Sequence, residues 1–397
     1  MDSQQLTEQY HLPVYNRYPI TLVEGKGAYV WDEDGNKYLD ALAGIAVNSL
    51  GHCHPKVVEA VQKQVEKLMH ISNFYYSKPQ AKLLESLSRL SGLDRGFICN
   101  SGGEAMEACL KAARKYSKAY DKKGGIITIS NAFHGRTMGT ISMGMEKYSK
   151  GYDPLLQGFQ EVPMNDVEAL KSQFDDNTLG VVIETIQGSG GLHVASKSFM
   201  DAVQELCEAN NALLIIDEVQ TGIARTGKMF SYEHYDVQPD IIGIAKAMGG
   251  GFPIGGMLCT DKVAETMNYG DHGSTYGGNP LACAASLAAL NAVIDENLVE
   301  QAAEKGAFLK GKIAELGGEL SGVVDIRGRG LMIGVELSFE GRPVVEEMLK
   351  KGILSNCTQG NVMRLVPPLV TSKDDLEVLA RVLVQAIQKT APSGKTI

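Results

Sequence analysis

The chain has 397 residues, a formal net charge of −9, and 44% hydrophobic and 21% charged residues, an ordinary globular composition on a chain too long for one small core. The acidic balance argues against nucleic acid as a partner, no apolar run reaches membrane-spanning length, and the polar start MDSQQLTEQYHLPVYNRYP lacks the apolar stretch of a signal peptide. Seven cysteines, odd in number and widely spaced, suit reduced thiols in a cytoplasmic protein better than a disulfide framework.

The first 45 residues hold one clear turn, Asp32-Glu33-Asp34-Gly35-Asn36, and are expected to pack beside the C-terminal part of the chain. Residues 55–69 and 79–90 carry helical periodicity. A short strand over 96–99 runs into Asn100-Ser101-Gly102-Gly103-Glu104 and then a long helix to about Tyr120. Short apolar runs at 126–130, 180–184, 213–217, 241–245 and 256–260 are predicted strands, with a helix at 197–209 between two of them. Strands alternating with helices predict an α/β fold with a mainly parallel sheet. An Ala-rich helix over 280–296 follows as a connector. Beyond it the pattern changes to a charged helix (299–316), the meander VVDIRGRGLMIGVEL, a helix, a strand ending near Val366 and a last helix over 373–389, an α+β unit. The predicted division is an N-terminal segment 1–45, a large domain 46–290 and a small domain 291–397, with the tail from Pro392 frayed.

Two charged residues sit where such a fold has little room for them. Asp217 ends the apolar run LLIID, and Lys246 ends DIIGIAK. A lone lysine there is most simply a side chain reaching back to water, and a lone acid a cap or an ion-pair partner. Together they occupy carboxyl ends of two successive parallel strands, the edge where ligands bind in α/β sheets. Pyridoxal phosphate (PLP) needs this pair: a lysine to bond its aldehyde and a buried carboxylate to keep its ring nitrogen protonated. Its phosphate needs amides at a helix start, which Ser101, Gly102 and Gly103 can supply. Rival motifs fail. The terminal Gly394-Lys395-Thr396 has Lys389 where a phosphate-binding loop needs glycine, and His52-Cys53-His54 has no spaced partner to complete a metal site.

The segments GAYVWDEDGNKYLDALAGIAVNSLGHCHP, FICNSGGEAMEACLKAARKY, AFHGRT, LLIIDEVQTGIARTG, GSTYGGNPLA and VMRLVPPL, with the Lys246 segment, resemble the class III aminotransferases, near the acetylornithine and ornithine aminotransferases, over nearly the whole chain. The resemblance implies the PLP-transferase fold of type I, with a large, mainly parallel seven-stranded sheet and a smaller α+β domain. It implies that Lys246 bonds the cofactor and shuttles a proton, and that Asp217 pairs with the pyridinium nitrogen. Val219 and Phe133 would cover the two ring faces, and Gln220 would bond the phenolic oxygen. Ser101, Gly102 and Gly103 would hold the phosphate, and Glu184 counts among the cofactor contacts. Thr275 would reach the phosphate of the neighbouring subunit of a homodimer. Arg136 would bind the carboxylate far from the reacting amine and Arg364 the one beside it, with Tyr15 and Asn48 lining the substrate pocket.

The implied reaction is transfer of the terminal amine of an ω-amino acid, N-acetylornithine first, to 2-oxoglutarate. Two arginines suit a dicarboxylate acceptor. Ornithine, 4-aminobutyrate, a β-amino acid or a diamine stay open as donors, though Ile45 stands where ornithine aminotransferases carry a pocket tyrosine. A PLP-binding dimer without turnover is the reading from another class. One departure stands out. The family reads EPIQGEGG where this chain has ETIQGSGG, so Ser189 replaces the glutamate that shields the arginine at 364. Either Glu184 covers Arg364 instead, or Arg364 is open to α-carboxylates in both half-reactions, which widens the donors to α-amino acids.

Overall fold

The computed structural model describes residues 2–317 and 322–392. The expected frayed tail beyond Pro392 and the Gly394-Lys395-Thr396 ending therefore lie outside the described residues. Near the N-terminus, β1 (Leu22–Lys26), β2 (Tyr29–Asp32) and β3 (Lys37–Asp40) form an antiparallel meander. Asp32 closes its turn by accepting from the Asp34 and Asn36 amides and the Tyr38 hydroxyl.

The main sheet has seven strands: β4 (Arg95–Cys99), β5 (Ile126–Ile129), β6 (Phe159–Val162), β7 (Gly180–Ile183), β8 (Leu213–Asp217), β9 (Ile241–Ile244) and β10 (Gly255–Cys259). Their order is β4-β10-β9-β8-β7-β5-β6, and β10 alone is antiparallel to its neighbours. Every residue of β5, β7, β8 and β9 is buried, as unbroken Ile/Leu/Val runs require when helices cover both faces. Successive residues alternate between two apolar layers: Leu214, Ile216, Ile242 and Ile244 in one, Leu213, Ile215 and Ile241 in the other. The parallel strands, and β4 with them, bring their carboxyl ends to one edge.

The C-terminal unit is an antiparallel sheet of β11 (Val323–Arg329), β12 (Met332–Leu337), β14 (Asn356–Thr358) and β15 (Val362–Leu365), ordered β11-β12-β15-β14. The two-residue β13 (Ile353–Leu354) leaves it to pair in parallel with β3, which ties the N-terminal meander to this unit. Helices Leu298–Gly317 and Lys373–Thr390 pack on each other and complete it. The connector is Pro280–Asp295, started by an Asn279 cap on the Ala282 amide and by Pro280 in the first turn.

The structure corrects several bounds. The helix expected over 55–69 is Pro55–Val65. Past Val65 the Lys67 and Leu68 amides both turn to the Gln64 carbonyl, which ends the regular ladder, and the Met69 carbonyl accepts from the Leu281 amide of the connector. β6, of pattern FQEV, lies at the sheet edge and shows no apolar run to read. Residues Ala43, Gly44, Ile45 and Ala46 all have positive φ, between 50° and 63°, a left-handed turn that periodicity does not announce. All seven cysteines are free thiols. Among the described residues no single helix is long and apolar enough to cross a membrane.

Candidate active site

A cavity of about 330 Å³ opens at the carboxyl edge of the main sheet, within the range of roughly 300–1,000 Å³ usual for small-molecule sites. Its wall takes Ser101, Gly102 and Gly103 after β4, Phe133 and His134 after β5, and Glu184 after β7. It also takes Asp217, Val219 and Gln220 at the end of β8, and Lys246 after β9. The chain's crossovers thus deliver chemistry-bearing residues from five strands to one place.

Lys246 follows β9 with a φ of 44°, a left-handed conformation costly for a side-chain-bearing residue. Loss of solvation lowers its pKa to about 8, against the pull of Asp217 and with a further push from Arg364. Asp217 is buried and fixed in place, with accepting capacity left over: one oxygen accepts from the Val219 amide at 2.9 Å, the other lies 2.7 Å from His134 Nδ1. Burial alone lowers the pKa of His134, but its hydrogen bond to Asp217 and the charges of Asp217 and Glu184 outweigh it, so the net shift is upward. A carboxylate only accepts, so Nδ1 is the donor in this contact. The next residue, Glu218, turns away from the cavity and is consumed by the Thr221 and Ser231 hydroxyls and the Tyr232 amide, the alternation expected along a strand end. Glu184 accepts from the Phe133 and Gly188 amides. Burial first, then the charge of Asp217, raises its pKa to about 7.

The phosphate-type cradle is a helix start. Ser101 caps the 18-residue helix Gly102–Ala119 by accepting from the Glu104 amide at 3.2 Å. A Cβ on Gly102 would sit 2.7 Å from Val219 Cγ1, so only glycine lets the backbone run this close to the cavity wall. An anion here meets open amides and the positive end of the helix.

The residues present fit PLP. Two buried polar atoms in the cavity wall's residues, Gln220 Oε1 and His134 Nε2, have no partner among the described residues. A lysine amine, a carboxylate and a helix N-terminus also converge on one volume of suitable size, as this cofactor's aldehyde, ring nitrogen and phosphate require.

The other predicted residues lie outside the cavity wall. Arg364 is buried in β15; its Nε donates to Asn356 Oδ1 at 3.1 Å and its Nη1 to the Gly188 carbonyl at 3.0 Å. Among the described residues no carboxylate pairs with it; Glu184, the alternative cover, is spent on backbone amides. Loss of solvation lowers the Arg364 pKa to about 10. Arg136 is exposed, with its guanidinium 3.8 Å over the Tyr148 ring. Asn48 stands behind Gly251, where a Cβ would come within 2.9 Å of its Oδ1. The Ser189 carbonyl accepts from Thr358 and Gln359. Tyr15 and Thr275 are exposed and do not line the cavity, although Ser274, next to Thr275, accepts from the cavity-lining Asn100. Sequence reasoning missed His134, Asn356 and Tyr148. His134 had a signal, a histidine in the loop after a strand that shares the carboxyl edge with β8; the other two had none.

Fold and site together define a PLP enzyme of the type I fold. The family model "Aminotransferase class-III" matches residues 12–387. Acetylornithine aminotransferases of Methanocaldococcus jannaschii and of Caldanaerobacter subterraneus subsp. tengcongensis are 51% and 48% identical, each over 95% of this chain and 96% of the relative. The ornithine aminotransferase of Toxoplasma gondii superposes with a TM-score of 0.94 at 34% identity, covering 97% of this chain and 94% of that one. The acetylornithine aminotransferase of Elizabethkingia anophelis does so with a TM-score of 0.88 at 35% identity, over 97% and 98%. The chain belongs to the class III aminotransferases and is a PLP-dependent enzyme.

Proposed function

We propose that the chain moves the terminal amine of N-acetylornithine to 2-oxoglutarate, in two half-reactions at one site, as a cytoplasmic homodimer. The observation that carries the reading is the meeting of Lys246, Asp217 and the Ser101–Gly103 helix start on one cavity. The names of relatives at 41–51% identity support the donor. When bound, PLP supplies an aldehyde that takes up the substrate amine and a ring that disperses negative charge from the substrate carbon. Lys246, desolvated to a pKa of about 8, is the base that lifts the proton from that carbon and returns it. Asp217, fixed by His134 and the Val219 amide, keeps the ring nitrogen protonated. Val219 and Phe133 flank the ring, Gln220 bonds its phenolic oxygen, and Glu184 orders the loop carrying Phe133. Arg136 takes the remote carboxylate and Arg364 the near one, beside Tyr15, Asn48 and Ser189.

Support for the homodimer is an exposed face carrying Met69, Phe74, Tyr75, Tyr76 and Tyr276, more apolar surface than a monomer usually leaves bare. Asn73 bonds the Ser274 and Gly277 carbonyls, so Thr275 belongs to the same face and is available to a neighbour's phosphate site.

The test is a donor screen against 2-oxoglutarate with the PLP-loaded enzyme. N-acetylornithine should exceed ornithine and 4-aminobutyrate in kcat/KM by about tenfold or more. A higher value for another donor overturns the assignment, and no absorbance change with any amine favours a non-catalytic binder. The second reading, an α-amino donor, rests on the buried Arg364 guanidinium, which lacks a carboxylate partner among the described residues.

A further inference from the structure

Arg136 is held in an unusual way. Among the described residues its guanidinium makes no ion pair or hydrogen bond; its contacts are the faces of Tyr148, at 3.8 Å, and Phe133, at 5.6 Å from the ring centroids. Phe133 and Tyr148 meet edge to face at 5.3 Å and 78°, and Phe133 itself lines the cavity. Stacking occupies the flat face of a guanidinium and leaves its N–H edge free. An arginine anchored by an acid spends those donors before substrate arrives; one anchored by rings keeps its fork for an incoming carboxylate. The short helix Glu146–Ser149 that presents Tyr148 is itself fixed, since the Met145 amide donates to the Ala132 carbonyl beside Phe133.

We propose that Tyr148 is a positioning and specificity-determining residue. Its ring sets the plane of the Arg136 guanidinium, and so selects substrates with a carboxylate remote from the reacting amine. The proposal rests on the reading of Arg136 as the remote-carboxylate site, and the test separates the two.

Steady-state kinetics of the PLP-loaded enzyme are compared for Tyr148→Leu, Tyr148→Gln, Tyr148→Phe, Arg136→Ala and the double variant Arg136→Ala/Tyr148→Leu. Removing the ring by Leu or Gln should raise KM for the ω-amino donor and for 2-oxoglutarate by about fivefold to tenfold. The change in kcat should stay under about twofold, the split expected for lost binding common to ground and transition state. Tyr148→Phe keeps the ring and should restore wild-type KM. The double variant should be no worse than Arg136→Ala alone, because the ring acts through that arginine. If Arg136→Ala raises KM but Tyr148→Leu and Tyr148→Gln do not, Tyr148 has no such role. An equal fall in kcat for Leu and Phe, or additive losses in the double variant, overturns the proposal in favour of a general structural role. An unchanged KM in Arg136→Ala removes the reading of Arg136, and the proposal with it.

Discussion

At Lys246 two costs coincide, a left-handed φ of 44° and a desolvated amine whose pKa falls to about 8. Either cost alone is met elsewhere in the fold, but both on one side chain facing the cavity mark a residue held for its chemistry. Lys246→Ala is expected to abolish turnover while PLP still binds without a covalent link, so borohydride no longer fixes the cofactor to the protein. Trapping at the wild-type level would assign the bond to another lysine. Lys246 and Asp217 were legible in the sequence because a charge at the end of an all-apolar strand has no bland purpose once two such ends face one crevice. Asn356 and Tyr148 were not, since a single polar or aromatic residue in a very short strand or helix carries no period, and the signal of His134, a histidine after a strand, acquires its meaning only through a contact across more than eighty residues of chain. Ser189 was legible as a departure. In the structure Arg364 Nη1 bonds the carbonyl of Gly188, the residue before it. A carboxylate at 189 would lie beside the guanidinium and cover it. Ser189→Glu should therefore slow the single-turnover reaction with glutamate relative to that with an ω-amino donor. An unchanged ratio ends the idea that an open Arg364 widens the choice of donor.

Among the elements, those with strong apolar runs emerged where expected, and the misses have local causes: β6 is short and polar, β13 has two residues, and the helix Pro55–Val65 ends where two successive amides share the Gln64 carbonyl. The left-handed turn at 43–46 is the informative case. Ala and Ile favour right-handed helix, so ALAGIAV gives no local hint of it. The turn exists because its surroundings over-determine it. Asp40 accepts from the Leu42 and Ala43 amides and holds His52 with its other oxygen. Ala41 accepts from the Val366 amide. Val47, directly after the turn, lines the cavity, so the strain positions part of the site's wall. Ile45, at φ 63°, is 38% exposed, so its truncation also removes more than half of a burial worth about 1.5–3 kcal/mol for a fully covered side chain. A left-handed residue with a Cβ costs about 1–2 kcal/mol, whereas glycine adds roughly 0.4–1 kcal/mol of unfolded-state entropy. With these terms nearly cancelling, Ile45→Gly is expected to leave the unfolding midpoint within about a degree or two of the wild type, and to change KM for the amino donor. A midpoint below that range would mean that Ile45 contacts outweigh the backbone strain.

Across the whole molecule, the main sheet and the C-terminal unit are joined at a buried arginine that no sequence pattern singled out, although Arg225 lies in plain view in LLIIDEVQTGIARTG. Its side chain is fully buried. One nitrogen donates to the Leu331 and Pro367 carbonyls of the C-terminal unit, another to the Ser49 hydroxyl. Its own carbonyl accepts from the Leu331 amide, and a Cβ on Gly330 would come within 2.7 Å of that carbonyl oxygen. Three parts of the chain therefore meet on one residue, eight positions after the catalytic-edge Asp217. Burial lowers the Arg225 pKa to about 9, against the charge of Asp40, and among the described residues no carboxylate pairs with it directly. A buried, unpaired charge is costly by itself, so its replacement tests whether the hydrogen bonds it makes outweigh that cost. Arg225→Met fills similar space and removes the charge, but leaves the Leu331 and Pro367 carbonyls without partners, each worth about 1–3 kcal/mol, while the Ser49 hydroxyl keeps its bond to the Ala46 carbonyl. The variant is expected to unfold several degrees below the wild type, with the loss larger in the presence of PLP, since the cavity and the C-terminal unit then no longer move as one. Calorimetry with and without cofactor measures this. An unfolding midpoint equal to or above the wild type would mean that the desolvation cost dominates and that the sheet-to-unit junction is held by its apolar contacts.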